Sequence, residues 1–339
     1  MRSEEHPQAA VAARNRAAAT PRAGHGTAPA NRADRGTAPV NRLAPTGRAL
    51  AGAPISWGVC EVPGWGRQLD PDRVLAEMAQ LGLTATELGP VGWLPADPSS
   101  LLARHGLDLV GGFVPFVLHE PDFEPARADA DRQAALLAAN GAGVLSAAVV
   151  LDAGWSEPRP LTDGEWRRLA ANLQRLEDVV AAHGLTLAVH PHAGTLIERR
   201  SDVDRLLEAT STPFCLDTGH LLIGGYDPVA FARDHADRVA HVHLKDVDAQ
   251  VAERFASTDL TLMGAVQAGL FRPLGEGDAA IADVIRALDH HGYGRALVLE
   301  QDTAITGQEP PAGRGPILDV RKSIEYLDTV APTNEEVIR

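Results

Sequence analysis

Short apolar runs alternate with amphipathic segments along most of the chain. The runs have the length of buried strands, and the segments between them repeat their apolar positions with the period of a helix. This alternation predicts eight strands, at Ala53–Val59, Ala85–Leu88, Leu107–Val114, Val144–Leu151, Leu185–His190, Phe214–Asp217, Val239–His243 and Ala296–Glu300. Strict alternation is typical of a parallel sheet, and eight units in about 280 residues favour a closed (β/α)8 TIM barrel over an open doubly wound sheet.

Aspartate and proline mark the starts of predicted helices. Asp70-Pro71 and Asp227-Pro228 each place a capping carboxylate directly before a proline in the first turn. The predicted connecting helices cover Pro71–Leu81, Ser99–His105, Pro125–Ala139, Thr162–His183, Asp202–Ala209, Pro228–His235 and Ile281–His291. The stretch Ala249–Gly277 is predicted as an insertion, either a partly helical lid or a contact in a homo-oligomer. A last helix, at about Ile317–Val330, is expected outside the barrel.

The first 50 residues differ in composition from the rest of the chain. They are rich in Ala, Arg, Pro, Gly and Thr, and they contain an echo in which Gly26–Arg32 resembles Gly36–Arg42. Such a segment buries too little apolar surface to offset its chain entropy. We therefore predict a disordered tail over residues 1–50 and a catalytic barrel domain over residues 51–331. The alternatives are a basic tail that binds an anionic partner and a start codon assigned too early.

Charge and composition exclude several classes of partner. The formal net charge is −14, and because residues 1–50 hold eight Arg against three acidic residues, the remainder carries −19, which repels nucleic acid. The sequence has neither a long apolar run nor a basic-then-apolar leader, so we expect no membrane segment, no export signal and a cytoplasmic location. Cys60 and Cys215 lie far apart in apolar contexts, where free buried thiols are expected.

Metal-binding types of side chain follow four consecutive predicted strands. One apolar run stops abruptly at Asp217, and the neighbouring strands end in His190, His243 and Glu300. Because the carboxyl ends of parallel strands meet at one end of a barrel, these groups are expected to share one site. Strand residues alternate between faces, so His241 points the same way as His243, and one of the two can bind metal while the other lies deeper.

An Asp, a Glu and two neutral imidazoles form a mixed oxygen and nitrogen site with a ligand charge of −2. Such a site suits Mn²⁺, Co²⁺, Fe²⁺ or Zn²⁺ better than Ca²⁺ or Mg²⁺. An ion with open positions can chelate a ketone and its neighbouring hydroxyl and stabilise the enediolate that forms when the α-proton leaves. The expected partner is therefore a small polyhydroxy ketone.

Several motifs resemble the xylose-isomerase-like, sugar phosphate isomerase/epimerase superfamily. They are His190-Pro191-His192-Ala193-Gly194-Thr195, Asp217-Thr218-Gly219-His220, His241-Val242-His243-Leu244-Lys245-Asp246, Gly275-Glu276-Gly277 and Glu300-Gln301-Asp302. Within it, Trp57-Gly58-Val59, Glu87-Leu88-Gly89-Pro90 and the HxHxGT form of the fifth strand look most like inosose (2-keto-myo-inositol) dehydratases. The resemblance spans about residues 53–302. It implies a divalent metal, Mn²⁺ or Co²⁺ first, with Zn²⁺, Fe²⁺ or Mg²⁺ as alternatives.

The resemblance also implies roles for individual residues. Carried over position by position, the metal ligands are His190, Asp217, His243 and Glu300. Candidates for the catalytic groups are His220, Lys245 and the free oxygen of Glu300, of which His220 is favoured as the base. Candidates for substrate binding are Trp57, Glu87, His119, His192 and Asp246. Simpler interpretations are a rim aromatic for Trp57, a capping carboxylate for Glu87, a loop imidazole for His119 and a partner of Lys245 for Asp246.

One departure from the family pattern favours elimination. The epimerase and isomerase branches usually carry glutamate where this chain has His190, and their two glutamates serve opposite faces of the substrate. Histidine at this position favours one-base chemistry, so the expected function is a lyase that dehydrates a keto-cyclitol. The alternatives are a ketose or keto-sugar isomerase or epimerase and a 3-keto-glycoside eliminase, all on the same metal site. A metal-dependent endonuclease would need a basic groove, which a charge of −19 does not indicate.

Overall fold

The computed structural model describes residues 47–62, 64–257 and 259–330, in which eight parallel strands close a barrel. The barrel strands are β1 Leu50–Gly52, β2 Ala85–Glu87, β3 Asp108–Phe116, β4 Val144–Val149, β5 Thr186–Val189, β6 Phe214–Asp217, β7 Val239–Leu244 and β10 Leu297–Leu299. Strand β10 pairs with β7 on one side and with β1 on the other, which completes the ring. The predicted (β/α)8 TIM barrel is confirmed.

Helices pack around the barrel and bury their apolar faces against it. They are α1 Pro71–Gln80, α2 Ser99–His105, α3 Glu124–Ala139, α4 Asp163–Ala181, α5 Arg200–Ala209, α6 Thr218–Ile223, α7 Pro228–Asp234, α10 Ile281–His290 and α11 Pro316–Thr329. The predicted helices are confirmed to within a few residues, and Asp70 and Asp227 cap α1 and α7. Only α6, which starts directly after Asp217, was not expected. Among the described helices, none has the length and apolar character to cross a membrane.

The first strand is shorter and begins earlier than predicted. Strand β1 ends at Gly52, and Pro54–Trp57 forms a 3-10 helix where the sequence predicted a continuing strand. Proline has no N–H to donate to a strand ladder and fixes its own φ, so the chain turns there. The barrel also includes residues before 51, since Leu50 lies in β1 and Arg48 is buried beside Asp289. Of the predicted tail over residues 1–50, residues 1–46 lie outside the described residues.

The insertion after β7 has a small core of its own, and we call it the lid. The lid comprises β8 Asp246–Val247, α8 Ala249–Ala256, α9 Leu262–Gln267 and β9 Phe271–Arg272. Strands β8 and β9 pair antiparallel, outside the barrel sheet. Apolar side chains from all four elements and the connections between them form one cluster, in which Val247 and Ala265 are fully buried. The predicted partly helical insertion is confirmed.

Candidate active site

The four predicted metal ligands lie together at the carboxyl ends of the strands. In the ladder between β6 and β7, Asp217 lies directly opposite His243, so the two side chains start at the same height. His190 Nε2 and His243 Nδ1 lie 3.4 and 3.6 Å from Asp217 Oδ2, and His243 Nδ1 lies 2.6 Å from Glu300 Oε2. Ligand atoms that share an ion at about 2.1 Å lie roughly 3 to 3.5 Å apart, which is close to this spacing.

Several atoms of this group have no hydrogen-bond partner in the described part of the chain. They include both ring nitrogens of His190 and Oδ2 of Asp217, and each of these two residues is at most 1% exposed. A buried polar atom without a partner costs about 1–3 kcal/mol. A divalent cation would satisfy the converging nitrogen and oxygen atoms together, so the donor set fits the expected ion.

Glu87, at the end of β2, bridges the two histidines of β7. Its Oε1 accepts hydrogen bonds from Nε2 of His241 at 2.8 Å and from Nε2 of His243 at 3.1 Å. Because Nε2 of His243 then carries a proton, this residue presents Nδ1 to Glu300 and Asp217, where a metal would take the place of a proton on Nδ1. Burial acts in the opposite direction, but the two histidines hold the pKa of Glu87 below its ordinary range. His243 therefore directs Nδ1 toward Asp217 and Glu300, whereas Nε2 of His241 is bonded to Glu87.

Lys245 is a buried cation among the carboxylates of the site. Its Nζ lies 2.8 Å from Glu300 Oε1, 2.8 Å from Asp302 Oδ1 and 3.4 Å from Asp217 Oδ2. Burial disfavours the charged form, but these carboxylates raise the pKa of Lys245 well above its ordinary value. One ammonium against three carboxylates leaves the group net negative, and this favours binding of a further cation.

The three residues that follow Asp217, namely Thr218, Gly219 and His220, help to set the position of Lys245. Thr218 Oγ1 donates to the carbonyl oxygen of Lys245 at 2.7 Å and accepts from its backbone N–H at 2.8 Å. Gly219 leaves room for the side chain, since a Cβ there would lie 2.7 Å from Lys245 Cγ. His220 Nε2 lies 2.9 Å from Lys245 Nζ. The motif that begins with Asp217 therefore supplies one ligand and fixes the nearest cation.

His192 and His220 lie side by side, with ring centroids 3.8 Å apart. His220 is 1% exposed, its Nε2 contacts Lys245, and it is not among the described residues that line the cavity above the ligands. His192 does line this cavity, and its Nδ1 donates to Ala193 O at 2.8 Å, which leaves Nε2 with a lone pair. Burial, assisted by His190 and Lys245, lowers the pKa of His192 to about 3. The geometry favours His192 over the predicted base, His220.

The cavity has a volume of about 1030 Å³ and opens at the carboxyl ends of the strands. Four predicted site residues line it, namely Glu87, His192, His243 and Glu300. Of the other predicted ligands and catalytic groups, His190, Asp217, His220 and Lys245 lie buried behind this wall. Substrates of TIM-barrel enzymes bind at this end of the fold, so the cavity is the candidate active site.

Three predicted substrate-binding residues do not lie among the described residues that line the cavity, so their substrate contacts stay a prediction. Trp57 is fully buried, and its Nε1 donates to a carboxylate of α1 at 2.8 Å. His119 is 1% exposed in the connection after β3. Asp246 accepts hydrogen bonds from three backbone N–H groups of the segment Gly275–Ala279, so it anchors the chain that returns from the lid. Trp57 and Asp246 therefore support the fold around the site.

Several lining residues were missing from the sequence-based candidates, notably Trp65, Phe113, Trp155 and Asp302. Asp302 could have been predicted from the sequence, because it follows Glu300 by two residues at a strand end. Burial, opposed by Lys245 and assisted by Glu300, raises the pKa of Asp302 to about 6. Trp65 and Trp155 lie on loops, whose path the sequence does not define. In the sequence, Phe113 cannot be distinguished from an ordinary core residue of a strand.

Comparison with known proteins agrees with the fold. The sequence matches the profile of the xylose isomerase-like TIM barrel family over residues 75–330. An inosose dehydratase of Geobacillus kaustophilus is 33% identical over 299 residues, which cover 81% of this chain and 92% of that protein. The rhizopine catabolism protein MocC of Rhizobium meliloti is 34% identical over 266 residues, covering 74% of this chain and 80% of that protein.

The fold has close counterparts among solved structures. An L-ribulose 3-epimerase matches with a TM-score of 0.62 at 16% identity, covering 84% of this chain and 94% of that one, and this is a likeness of fold. The chain belongs to the xylose isomerase-like TIM barrel family. The dehydratases among its relatives support an enzyme of the hydro-lyase class.

Proposed function

We propose that the protein is a metal-dependent hydro-lyase that dehydrates 2-keto-myo-inositol to a trihydroxycyclohexane-dione and water. The observation that carries this proposal is the convergence of donor atoms from His190, Asp217, His243 and Glu300 beside a large cavity. The substrate is supported by relatives named inosose dehydratase, among them one that is 33% identical.

We propose Mn²⁺ or Co²⁺ as the ion, because the donor set mixes imidazole nitrogen with carboxylate oxygen. The residues that would hold it are His190, Asp217, His243 and Glu300, of which Asp217, His243 and Glu300 form one close group and His190 lies beside Asp217. When bound, such an ion acts as a Lewis acid that polarises the ketone and so makes the neighbouring C–H bond more acidic.

His192 is the residue placed to take the α-proton. Its orientation is set by the hydrogen bond from Nδ1 to Ala193 O, and its Nε2 is left to accept a proton. Asp302 lines the same cavity and is placed to return a proton to the departing hydroxyl. Lys245 contacts both Asp302 and Glu300, so it keeps the two carboxylates in position.

The identity of residue 190 supports elimination over epimerisation. Epimerisation needs one group to remove a proton and a second group to return it on the opposite face. If His190 binds the ion, it cannot serve as that second group. Loss of the β-hydroxyl then follows removal of the α-proton.

The proposal is tested by turnover of 2-keto-myo-inositol in deuterated water. Chelator-treated protein reloaded with Mn²⁺ should form a product that has lost one water, detected by mass and by dione absorbance, and the chelated protein should not. The Asp217→Asn variant is the control, because it keeps the shape of the side chain and removes a charged ligand. Recovery of only a stereoisomer, unchanged in mass apart from incorporated deuterium, would replace the lyase by the epimerase alternative.

A further inference from the structure

The cavity has two parts of different chemistry. Five polar lining residues lie at or just beyond the ends of strands β2, β5, β7 and β10, and we call their side of the cavity the inner compartment; they are Glu87, His192, His243, Glu300 and Asp302. Loops and the lid extend beyond the strand ends and contribute mainly apolar side chains. We call this side the outer compartment; it includes Val62, Trp65, Trp155, Phe255, Leu262 and Met263.

The cavity is too large and too apolar for a single polyol ring alone. Its volume of about 1030 Å³ lies at the upper end of the range for sites that enclose drug-sized ligands, roughly 300–1,000 Å³. Hydroxyl groups removed from water need hydrogen-bond partners, and the apolar walls of the outer compartment offer few. A keto-cyclitol held by the inner compartment therefore leaves the outer compartment unfilled.

An aromatic surface connects the two compartments. The rings of Phe113 and Trp155 stack with centroids 6.2 Å apart and planes at 16°, and both rings contact His192, at 5.6 and 6.1 Å. Trp155 has a φ of 56°, a left-handed conformation that is rare for a bulky side chain. Such backbone strain persists only where surrounding structure enforces it, here in a residue that forms the cavity wall. The wall beside His192, the proposed base, is therefore suited to a flat or apolar group.

The charges around the cavity indicate that this group is neutral. Carboxylates on the wall include Glu61, Glu157 and Glu198, beyond those of the inner compartment. Among the lining residues that the structure describes, Arg199 is the single arginine or lysine. A phosphate or carboxylate on the outer part of a ligand would meet net repulsion there.

We propose that the natural substrate is a keto-cyclitol or keto-sugar ring that carries an uncharged apolar or aromatic substituent, with the ring in the inner compartment and the substituent in the outer one. This inference rests on the proposed function for the ring and extends it to the group that the ring carries. Phe255, from the lid, and Trp155, from the loop after β4, then determine specificity.

The experiment compares 2-keto-myo-inositol with its mono-O-benzyl ether and with the corresponding carboxybenzyl ether. Burial of a phenyl ring should raise kcat/KM for the benzyl ether roughly tenfold to a hundredfold over the parent in the Mn²⁺-loaded protein. The carboxybenzyl ether should lose this gain. Calorimetry with myo-inositol and its benzyl ether, which lack the ketone and do not react, should show the same preference in Kd.

Substitutions of two cavity residues test whether the preference for the benzyl ether arises in the outer compartment. Phe255→Ala and Trp155→Gly, the latter suited to the positive φ, should each bring the ratio of benzyl ether to parent toward one. The matched control is Val91→Ala, a substitution at a residue that is 74% exposed outside the cavity, and it should leave the ratio unchanged. Equal or weaker binding and turnover of the benzyl ether by the unaltered protein overturns the proposal, as does a preference that survives both cavity variants. If neither ketone loses water but the calorimetric preference for the benzyl ether remains, the proposed dehydration is wrong. The proposal that the outer compartment binds an apolar substituent is then still supported.

Discussion

Gly219 lies against the side chain of Lys245, and a Cβ at Gly219 would be 2.7 Å from Lys245 Cγ and 2.9 Å from Cδ. Gly219→Ala should therefore displace Lys245 and disturb Glu300, which Lys245 contacts at 2.8 Å. Overpacking of this kind typically costs about 1–3 kcal/mol. We expect a loss of that size in the free energy of unfolding by urea, together with weaker Mn²⁺ binding by calorimetry.

The matched control is Gly143→Ala, because a Cβ at Gly143 meets nothing within 4 Å. This variant should stay within about 0.5 kcal/mol of the unaltered protein. If both alanine variants unfold and bind Mn²⁺ alike, the space beside Lys245 is not needed.

Glu87→Gln should weaken the metal site without unfolding the barrel. A glutamine can accept from one histidine of β7, but it no longer supplies the negative charge that fixes the proton on Nε2 of His243. Loss of such a partner typically lowers metal affinity about 10- to 100-fold, which titration with Mn²⁺ measures.

Glu77→Gln provides the comparison. Glu77 is also buried and accepts from Trp57 at 2.8 Å, but it lies in α1, away from the ligands. It should lower stability and leave Mn²⁺ affinity nearly unchanged. An unaltered affinity in Glu87→Gln would show that the bond to His243 does not prepare the ligand.

The sequence places the candidate ligands at one end of the barrel but does not reveal the residues that support them, for a physical reason. Asp217 and His243 could be placed because each marks the end of an apolar strand, and parallel strands end on one side of a barrel. The bond between Glu87 and His241 joins residues 154 positions apart, and it depends on the closure of the ring. Trp57, near the end of a predicted strand, was predicted to contact substrate. Its ring is buried in the core, where a buried carboxylate accepts a hydrogen bond from its N–H.

Substitutions at two adjacent histidines distinguish the base. His192→Gln should lower kcat about 10²- to 10⁴-fold, the usual contribution of a general base, while Mn²⁺ affinity stays near that of the unaltered protein. His220→Gln should weaken Mn²⁺ binding as well as kcat, because His220 contacts Lys245, which holds Glu300. Steady-state kinetics and metal titration on both variants provide the test. If His220→Gln abolishes turnover at full metal affinity while His192→Gln remains active, His220 is the base, as the sequence had suggested.

Removal of residues 1–46 should leave the melting temperature and turnover nearly unchanged, because their composition offers little apolar surface to bury. The cut is placed before Arg48, which is buried beside Asp289. A longer deletion, through residue 52, removes β1 and should abolish folding. A large loss of stability or turnover from the shorter deletion would mean that the tail docks on the barrel.

One divalent ion shared by His190, Asp217, His243 and Glu300 is the feature on which the proposed chemistry depends. Anomalous diffraction at the manganese absorption edge, from crystals grown with Mn²⁺, locates that ion directly. We expect one strong peak in the site, at about 2.0–2.5 Å from a donor atom of each of the four residues. A site without a peak, or a peak that leaves any of the four beyond this distance, would contradict the shared ligand set.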